Sequence, residues 1–139
     1  MKHLIVTLIS ATAFFSCANQ NTEGIEVVTL VETTTSWDGS KLPIYPESQP
    51  KVTVLKITIP PKAKLHKHYH PVINSGYILS GELMVVNSKN DTLHLQEGDV
   101  IVELVNTVHH GENTGEVPVE LVVFYAGAED MPITVLAEE

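Results

Sequence analysis

The sequence contains no arginine. All eight of its basic residues are lysines, against 17 acidic residues, and the formal charge is −9. A surface that reads phosphates needs clustered cations and usually uses the planar guanidinium fork, so this composition argues against a nucleic-acid partner. It also makes phosphorylated sugars and nucleotides poor substrates, although Lys62, Lys64 and Lys67 are placed to attract a carboxylate.

Long apolar runs and cysteines are scarce too. After residue 20 no run approaches the roughly 18 to 20 apolar residues that would span a bilayer, so the body of the chain is not a membrane domain. The one cysteine, Cys17, has no partner for a disulfide. With 139 residues, the chain is long enough for one domain with a real core but not for two.

The N-terminus has the anatomy of a secretory signal: a positive start, an apolar run over residues 4–15, and then Ser16-Cys17. It resembles a bacterial lipoprotein signal, in which the cysteine is lipidated and becomes the new N-terminus. The resemblance implies a signal peptide at 1–16, a lipidated tether at 17–24 and a folded domain at 25–139. The protein would then be exported to the periplasm or cell envelope and held at the membrane by lipid alone. An uncleaved anchor or a buried N-terminal helix is the alternative.

Helical periodicity is absent as well, since no stretch from Ile25 onward keeps a period of 3.6 residues over three turns. Short β-branched runs alternate instead with Gly, Asn, Asp and Pro, which predicts an all-β domain, a sandwich or a barrel. The predicted strands are Glu26 to Thr33, Val52 to Ile59, Gly76 to Leu79, Glu82 to Asn87, Thr92 to Leu95, Val100 to Leu104, Val117 to Tyr125 and Ile133 to Leu136.

An aromatic, proline-punctuated segment at 36–50 precedes most of these strands. It reads as an ordered loop rather than a linker. Two interpretations stay open for its aromatic side chains: Trp37 and Tyr45 cover the mouth of a barrel, or they close the hydrophobic core.

Histidines are concentrated at two places. His66, His68 and His70 alternate, so in a strand they share one face. Such alternation makes a two-ligand site, and a metal needs a further ligand from elsewhere, for which His109 is the natural candidate. The alternative is a solvated strand that is rich in histidine by accident.

The first of these regions resembles the first motif of the cupin superfamily. That motif has Gly, five residues, His-x-His, three or four residues, Glu, six residues and Gly. His68 and His70 fall on the two histidines and Gly81 on the last glycine, while Lys62 stands at the first glycine and Asn74 at the glutamate.

The second cupin motif follows in register. Gly98 opens it, His109 and Asn113 fall on its His and Asn, and Leu104 and Asn106 replace its Pro and Gly. The resemblance, with a motif core at 52–125, implies a single cupin domain: a jelly-roll or double-stranded β-helix barrel. A divalent metal ion (iron, manganese, zinc, nickel or copper) would lie inside, near the mouth.

The resemblance assigns the metal ligands His68, His70 and His109, with Asn74 as a weak fourth. His66 and His110 lie outside the motif positions, and His110 should point away from His109; direct coordination by His66 stays open. An amide at Asn74 leaves more positive charge on the metal than a carboxylate would. Glu103 is the carboxylate nearest to the second motif and is the candidate catalytic base or replacement ligand, unless it faces solvent.

Two functions are compatible with these residues. One is a metal-dependent enzyme, dioxygenase-like or isomerase-like, that acts on a small organic molecule. The other is a non-catalytic module that binds a metal or small ligand at the membrane surface. Cupins include both, so the fold does not decide between them. A homodimer is left open.

Overall fold

The computed structural model describes residues 24–138 and contains strands but no helix within that range. No segment there forms a helix that could cross a bilayer. The nine strands are β1 (Pro50–Ile59), β2 (His68–Tyr69), β3 (Ile73–Ser80), β4 (Glu82–Asn87), β5 (Thr92–Gln96), β6 (Val100–Val102), β7 (His109–Asn113), β8 (Val119–Ala128) and β9 (Val135–Leu136).

The strands form two antiparallel sheets. One has the order β1-β8-β3-β6 and the other β5-β4-β7-β2-β9. The longest pairing joins β1 to β8 from Pro50 opposite Ala128 to Ile59 opposite Val119. Because side chains alternate along a strand, each sheet turns one row inward, and the core lies between the sheets.

Strand β8 illustrates how this alternation builds the core. Val119, Leu121, Val123 and Tyr125 are buried, whereas the exposed Phe124 points out of the sandwich. The inward residues of β4, Leu83 and Val85, meet them from the other sheet.

Most of the predicted strands are present, and β4 has the predicted bounds. The predicted strand Glu26 to Thr33 is wrong: these residues are exposed and form no strand. They carry the β-branched composition of a strand, but a strand also needs a neighbouring backbone to accept and donate its hydrogen bonds, and composition does not supply one.

Two strands were missed, and both carry histidines. Strand β2 has two residues, and β7 is a polar run; neither has the apolar content by which strands are found in a sequence. Strand β7 lies between β4 and β2, with His109 opposite His68. Glycine is the residue that fits at position 111 without a shift of its neighbours, because a Cβ there would lie 3.3 Å from side-chain carbons of Leu65 and Leu83.

The aromatic loop closes the core rather than the barrel mouth. Trp37 packs against the buried cluster, and its backbone N–H donates to the carbonyl of Val102 at 3.0 Å. Tyr45 does not contribute to the core, since its side chain is largely exposed.

Candidate metal centre

A cavity of about 340 Å³ opens between the two sheets. Aliphatic side chains from both sheets form most of its wall: Ile57, Ile59, Leu83, Val85, Leu121 and Val123. The polar groups are gathered in the remaining part, which includes the three histidines of the two motifs. A concave, mostly apolar site with a few convergent polar groups is the usual form of a small-molecule site.

Strand pairing brings the three histidines together. His68 on β2 lies opposite His109 on β7, and His70 follows two residues after His68. The ring centroids are 4.9 Å apart for His68 and His70, 4.7 Å for His68 and His109, and 5.0 Å for His70 and His109. One ring nitrogen from each residue lies within 4.8 Å of the other two.

Backbone carbonyls fix the orientation of all three rings. The Nδ1–H of His68 donates to the carbonyl of His66 at 2.7 Å, that of His70 to Ile133 at 2.8 Å, and that of His109 to Thr107 at 2.8 Å. A ring that donates from Nδ1 has its lone pair on Nε2. Such bonds are typical of metal-ligating histidines, because they set the tautomer and the direction of the lone pair.

Burial keeps these rings neutral. Desolvation lowers the pKa of His68 and His109, and it lowers that of His70 to about 4. The Nε2 atom of His109 is buried and has no hydrogen-bond partner among the described residues. Three neutral imidazoles with converging lone pairs and a buried, unpartnered nitrogen fit a metal ion, so His68, His70 and His109 could hold one.

Asn74 faces the same cavity from β3. It is 1% exposed, and its Oδ1 is buried without a hydrogen-bond partner within residues 24–138. Its Nδ2 lies 3.5 Å from the carbonyl of Val72, which is at the limit of a hydrogen bond. The amide oxygen is therefore free to accept a hydrogen bond from a ligand or to approach a metal.

Glu103 lies beside Asn74 across two neighbouring strands. Ser75 pairs with Val102, and the backbone N–H of Glu103 donates to the carbonyl of Asn74 at 3.1 Å. Both side chains line the cavity. The carboxylate missing from the cupin motif at Asn74 is thus present one strand away.

The carboxyl group of Glu103 is in contact with a histidine of the cluster. Its Oε2 lies 3.5 Å from His109 Nε2 and has no hydrogen-bond partner among the described residues. Burial raises the pKa of Glu103 to about 7. Burial also lowers the pKa of His109, so it opposes the charged form of both groups. This contact therefore differs from a solvent-exposed salt bridge.

Tyr125 was missed as a site residue. Its ring centroid is 5.6 Å from that of His70, and it lines the cavity. Burial raises the pKa of its hydroxyl. The sequence did indicate that Tyr125 faces inward, because it has the same strand parity as the apolar Val119, Leu121 and Val123.

The neighbouring histidines and the asparagine of the second motif lie outside the three-histidine group. His66 is largely exposed, although it is one of the residues that line the cavity. His110 lines a separate outer groove with Lys64 and Lys67. Asn113 is fully buried and structural: its Nδ2 donates to the carbonyls of Ile59 and Val117, and its Oδ1 accepts from the Gly115 N–H.

Comparisons with known proteins agree with this architecture. An uncharacterised double-stranded β-helix protein from Klebsiella pneumoniae has 21% identity and a TM-score of 0.54, covering 68% of this chain and 89% of its own. The DMSP lyase DddQ from Ruegeria pomeroyi has 21% identity and a TM-score of 0.55, over 62% of this chain and 43% of the lyase. An oxalate oxidase has 22% identity and a TM-score of 0.52, over 62% and 46%.

These likenesses establish the fold only, and this chain spans less than half the length of the lyase and of the oxidase. A search of curated proteins finds no match. The model of the Cupin domain family, however, matches residues 55–125, which is just over half of the chain. That stretch contains the three histidines, Asn74 and Glu103, and ends at Tyr125. The chain therefore belongs to the cupin family.

Proposed function

We propose that this protein is an extracytoplasmic, metal-dependent enzyme that acts on a small organic molecule. His68, His70 and His109 hold a divalent metal ion, and Glu103 moves a proton to or from the substrate beside it. The observation that carries the proposal is the buried, unpartnered Oε2 of Glu103, 3.5 Å from His109 Nε2.

A purely structural role does not account for Glu103. Burying a carboxylate without a partner is costly, and such groups in folded proteins are usually paired or functional. Perturbed carboxyl groups in a cleft are typical of catalytic sites. Here the cleft also contains three histidines with the orientation of metal ligands.

The three histidines, Glu103 and Asn74 each have a role in this proposal. When bound, a divalent metal ion would act as a Lewis acid on an oxygen of the substrate or on water. The three imidazoles would hold it through Nε2, and Glu103 accepts a proton from a bound molecule or returns one. Asn74 Oδ1 accepts a hydrogen bond from the substrate, and the aliphatic wall excludes water.

The comparisons support an enzyme without identifying the reaction. Two solved structures of similar fold belong to enzymes, a DMSP lyase and an oxalate oxidase. Dioxygenase-like and isomerase-like reactions both fit a metal beside a proton-transfer group. The alternative, a non-catalytic module at the membrane surface, uses the same metal site but needs no Glu103 carboxylate.

Metal content is the first test. The full chain, purified without chelators or a histidine tag, should contain about one divalent ion per chain by elemental analysis. His109→Ala should lose it almost completely. His110→Ala is the matched control, because His110 is the neighbouring residue and faces the outer groove; it should keep the metal. Equal metal content in all three proteins would contradict the site.

Proton transfer is the second test. The metal-loaded protein is incubated in D₂O with a panel of small oxo and hydroxy acids, and deuterium incorporation and oxygen uptake are measured. Glu103→Gln should keep the metal but lose turnover by about a hundredfold or more. Glu112→Gln, an outward-facing carboxylate paired with Lys64, is the control. A metal-loaded protein with no turnover on the panel would favour the binding module.

The cellular location belongs to the same proposal. Cys17, the expected lipid attachment site, lies outside the described residues, so the lipid anchor and the tether at 17–24 remain predictions from the sequence. The oligomeric state, for which the sequence leaves a homodimer open, would be decided by sedimentation of the purified chain.

A further inference from the structure

We infer that the cavity is selective for a small molecule with one singly charged, metal-binding oxygen group and an aliphatic tail. This inference rests on the proposed function, because the oxygen group needs the metal held by His68, His70 and His109. It adds the class of substrate, which the fold and the comparisons leave open.

The cavity has two chemically different parts. Three histidines, Glu103 and Asn74 lie at one part, and the six aliphatic side chains named above form the wall. These come from β1 and β8 in one sheet and from β4 in the other, so a tail would be enclosed on both sides. Such a wall offers a ligand apolar contact but no hydrogen bonds.

The apolar surface continues to the outside. Leu55, Leu65 and Leu136 also line the cavity, yet they are 36%, 37% and 67% exposed. Leucines in contact with both a cavity and solvent form an apolar rim. A ligand with an aliphatic tail would cover this surface, whereas a fully polar ligand would leave it in water.

The charges of the lining limit the ligand to one negative charge. Among the described residues no lysine lines the cavity, and Lys64 and Lys67 line the outer groove instead. A divalent ion bound by three neutral imidazoles carries two positive charges, and the adjacent Glu103 carboxylate offsets one of them, which leaves one for an anionic group of the ligand. A second anionic group would meet an aliphatic wall or the Glu103 carboxyl, and an unpaired buried charge is strongly unfavourable.

The volume limits the size. At about 340 Å³ the cavity is near the lower end of the range for small-molecule sites, roughly 300–1,000 Å³. A long-chain lipid or a nucleotide is too large for this cavity to enclose completely, whereas a short aliphatic acid fits.

A ligand series on the cobalt-loaded full chain tests the inference. Co(II) is titrated first and followed by its visible absorption. Acetate, butanoate, hexanoate, succinate and inorganic phosphate are then added separately, and affinity is measured from the spectrum and by calorimetry. The dissociation constant should fall about fourfold for each added methylene that the wall covers. Succinate and phosphate should bind at least about tenfold more weakly than butanoate.

A charge at the rim gives a second, independent readout. Leu55→Lys should weaken hexanoate and strengthen succinate, because it adds a cation beside the cavity on a partly exposed residue. Val54→Lys is the matched control on the same strand, since Val54 is exposed and outside the lining, and it should leave both affinities unchanged.

The outcomes separate this inference from the proposed function. Cobalt binding with equal affinity for acetate and hexanoate, or with succinate or phosphate as the tightest ligand, would overturn the inference and leave the metal site standing. Failure of the protein to bind cobalt at all would overturn the metal site, and the inference with it.

Discussion

Two residues adopt the left-handed backbone conformation where the cupin motifs have glycine. Lys62 has φ of 62° and Asn106 has φ of 54°. Asparagine tolerates this region well, whereas a lysine there costs about 1 to 2 kcal/mol from the contact of its Cβ with the backbone. The departure at Lys62 therefore keeps the motif's backbone at the expense of some stability.

Lys62→Gly should stabilise the protein. Relief of the left-handed strain should outweigh the loss of the exposed ion pair with Glu116 and of the exposed hydrogen bond from Nζ to the Thr114 carbonyl, since such surface contacts contribute little. Lys62→Ala removes the same ion pair but keeps the strain, so it is the control. We expect the glycine variant to exceed the alanine variant by about 1 kcal/mol in the free energy of unfolding, measured by urea denaturation. Equal stability of the two would mean that the backbone there is unstrained.

Glu103 makes its own contribution to the pH dependence of the stability of the metal-free protein, opposite in sign to that of the three buried histidines, whose pKa values are lowered. Its folded pKa of about 7 lies above the ordinary value of 4.5, so the folded state keeps a proton that the unfolded state loses. The Glu103 contribution to stability is then lost as the pH rises from about 4.5 through about 7. Glu103→Gln should remove this loss and be more stable than the parent at pH 8, by at most about 3 kcal/mol.

The difference between the two proteins should nearly vanish at a pH of about 3.5, one unit below the ordinary value, where the parent carboxyl is largely protonated in both states. Glu97→Gln is the control, because Glu97 is exposed and keeps its hydration on folding. Denaturation of chelator-treated protein at the two pH values measures the effect. If the stability difference between the parent and Glu103→Gln were the same at both pH values, that result would contradict burial of the Glu103 charge.

At the level of strands, pairing of the short β2 and β7 brings His68 and His109 together, and pairing of β3 and β6 positions Glu103, the proposed proton-transfer group, in the same cavity. Pairing of His68 with His109 joins two motifs that are far apart in sequence. Pairing of β3 with β6 places Glu103 beside Asn74. A carboxyl group that lines the cavity is thus present beside Asn74, the position where the motif usually has glutamate.

Asn74→Asp should raise the affinity for divalent metal by about tenfold or more. The change keeps the side-chain shape and adds a negative charge next to the three imidazoles, which strengthens attraction for the ion. It should also destabilise the metal-free protein, because the new carboxylate is buried near Glu103. Metal titration and urea denaturation measure the two effects.

Ser75→Asp is the control for this prediction. Ser75 is the next residue of β3 and has the opposite strand parity, so its charge lies outside the cavity. It should change metal affinity by less than about twofold. An equal gain for both variants would show that overall charge, rather than position in the cavity, controls affinity.

For the whole molecule, the apolar run that ends at the lone cysteine predicts that the small barrel is tethered by lipid outside the cytoplasm. Within residues 24–138 the structure supplies the barrel and its metal-compatible cavity. The tether comes from the sequence alone.

Cys17→Ser should release the protein from the membrane fraction. The lipid would be attached to that thiol, and no other cysteine exists to replace it. Fractionation and mass spectrometry of the N-terminus measure attachment and cleavage. Membrane attachment that persists in the variant with residues 1–16 still present would show that the segment is an uncleaved anchor.

The sequence by itself was sufficient for the all-β class, most strands and the three histidines. Strand alternation and turn residues are local, and the motif spacing carries the register of the barrel. It was insufficient for residues 26–33, whose strand-like composition has no pairing partner, and for the two histidine-bearing strands, whose polar residues lack the apolar pattern. Only the tertiary structure decided that Glu103 faces the cavity and lies beside Asn74. The reason is physical: hydrogen bonding between β3 and β6 sets that neighbourhood, and no periodicity within either strand records it.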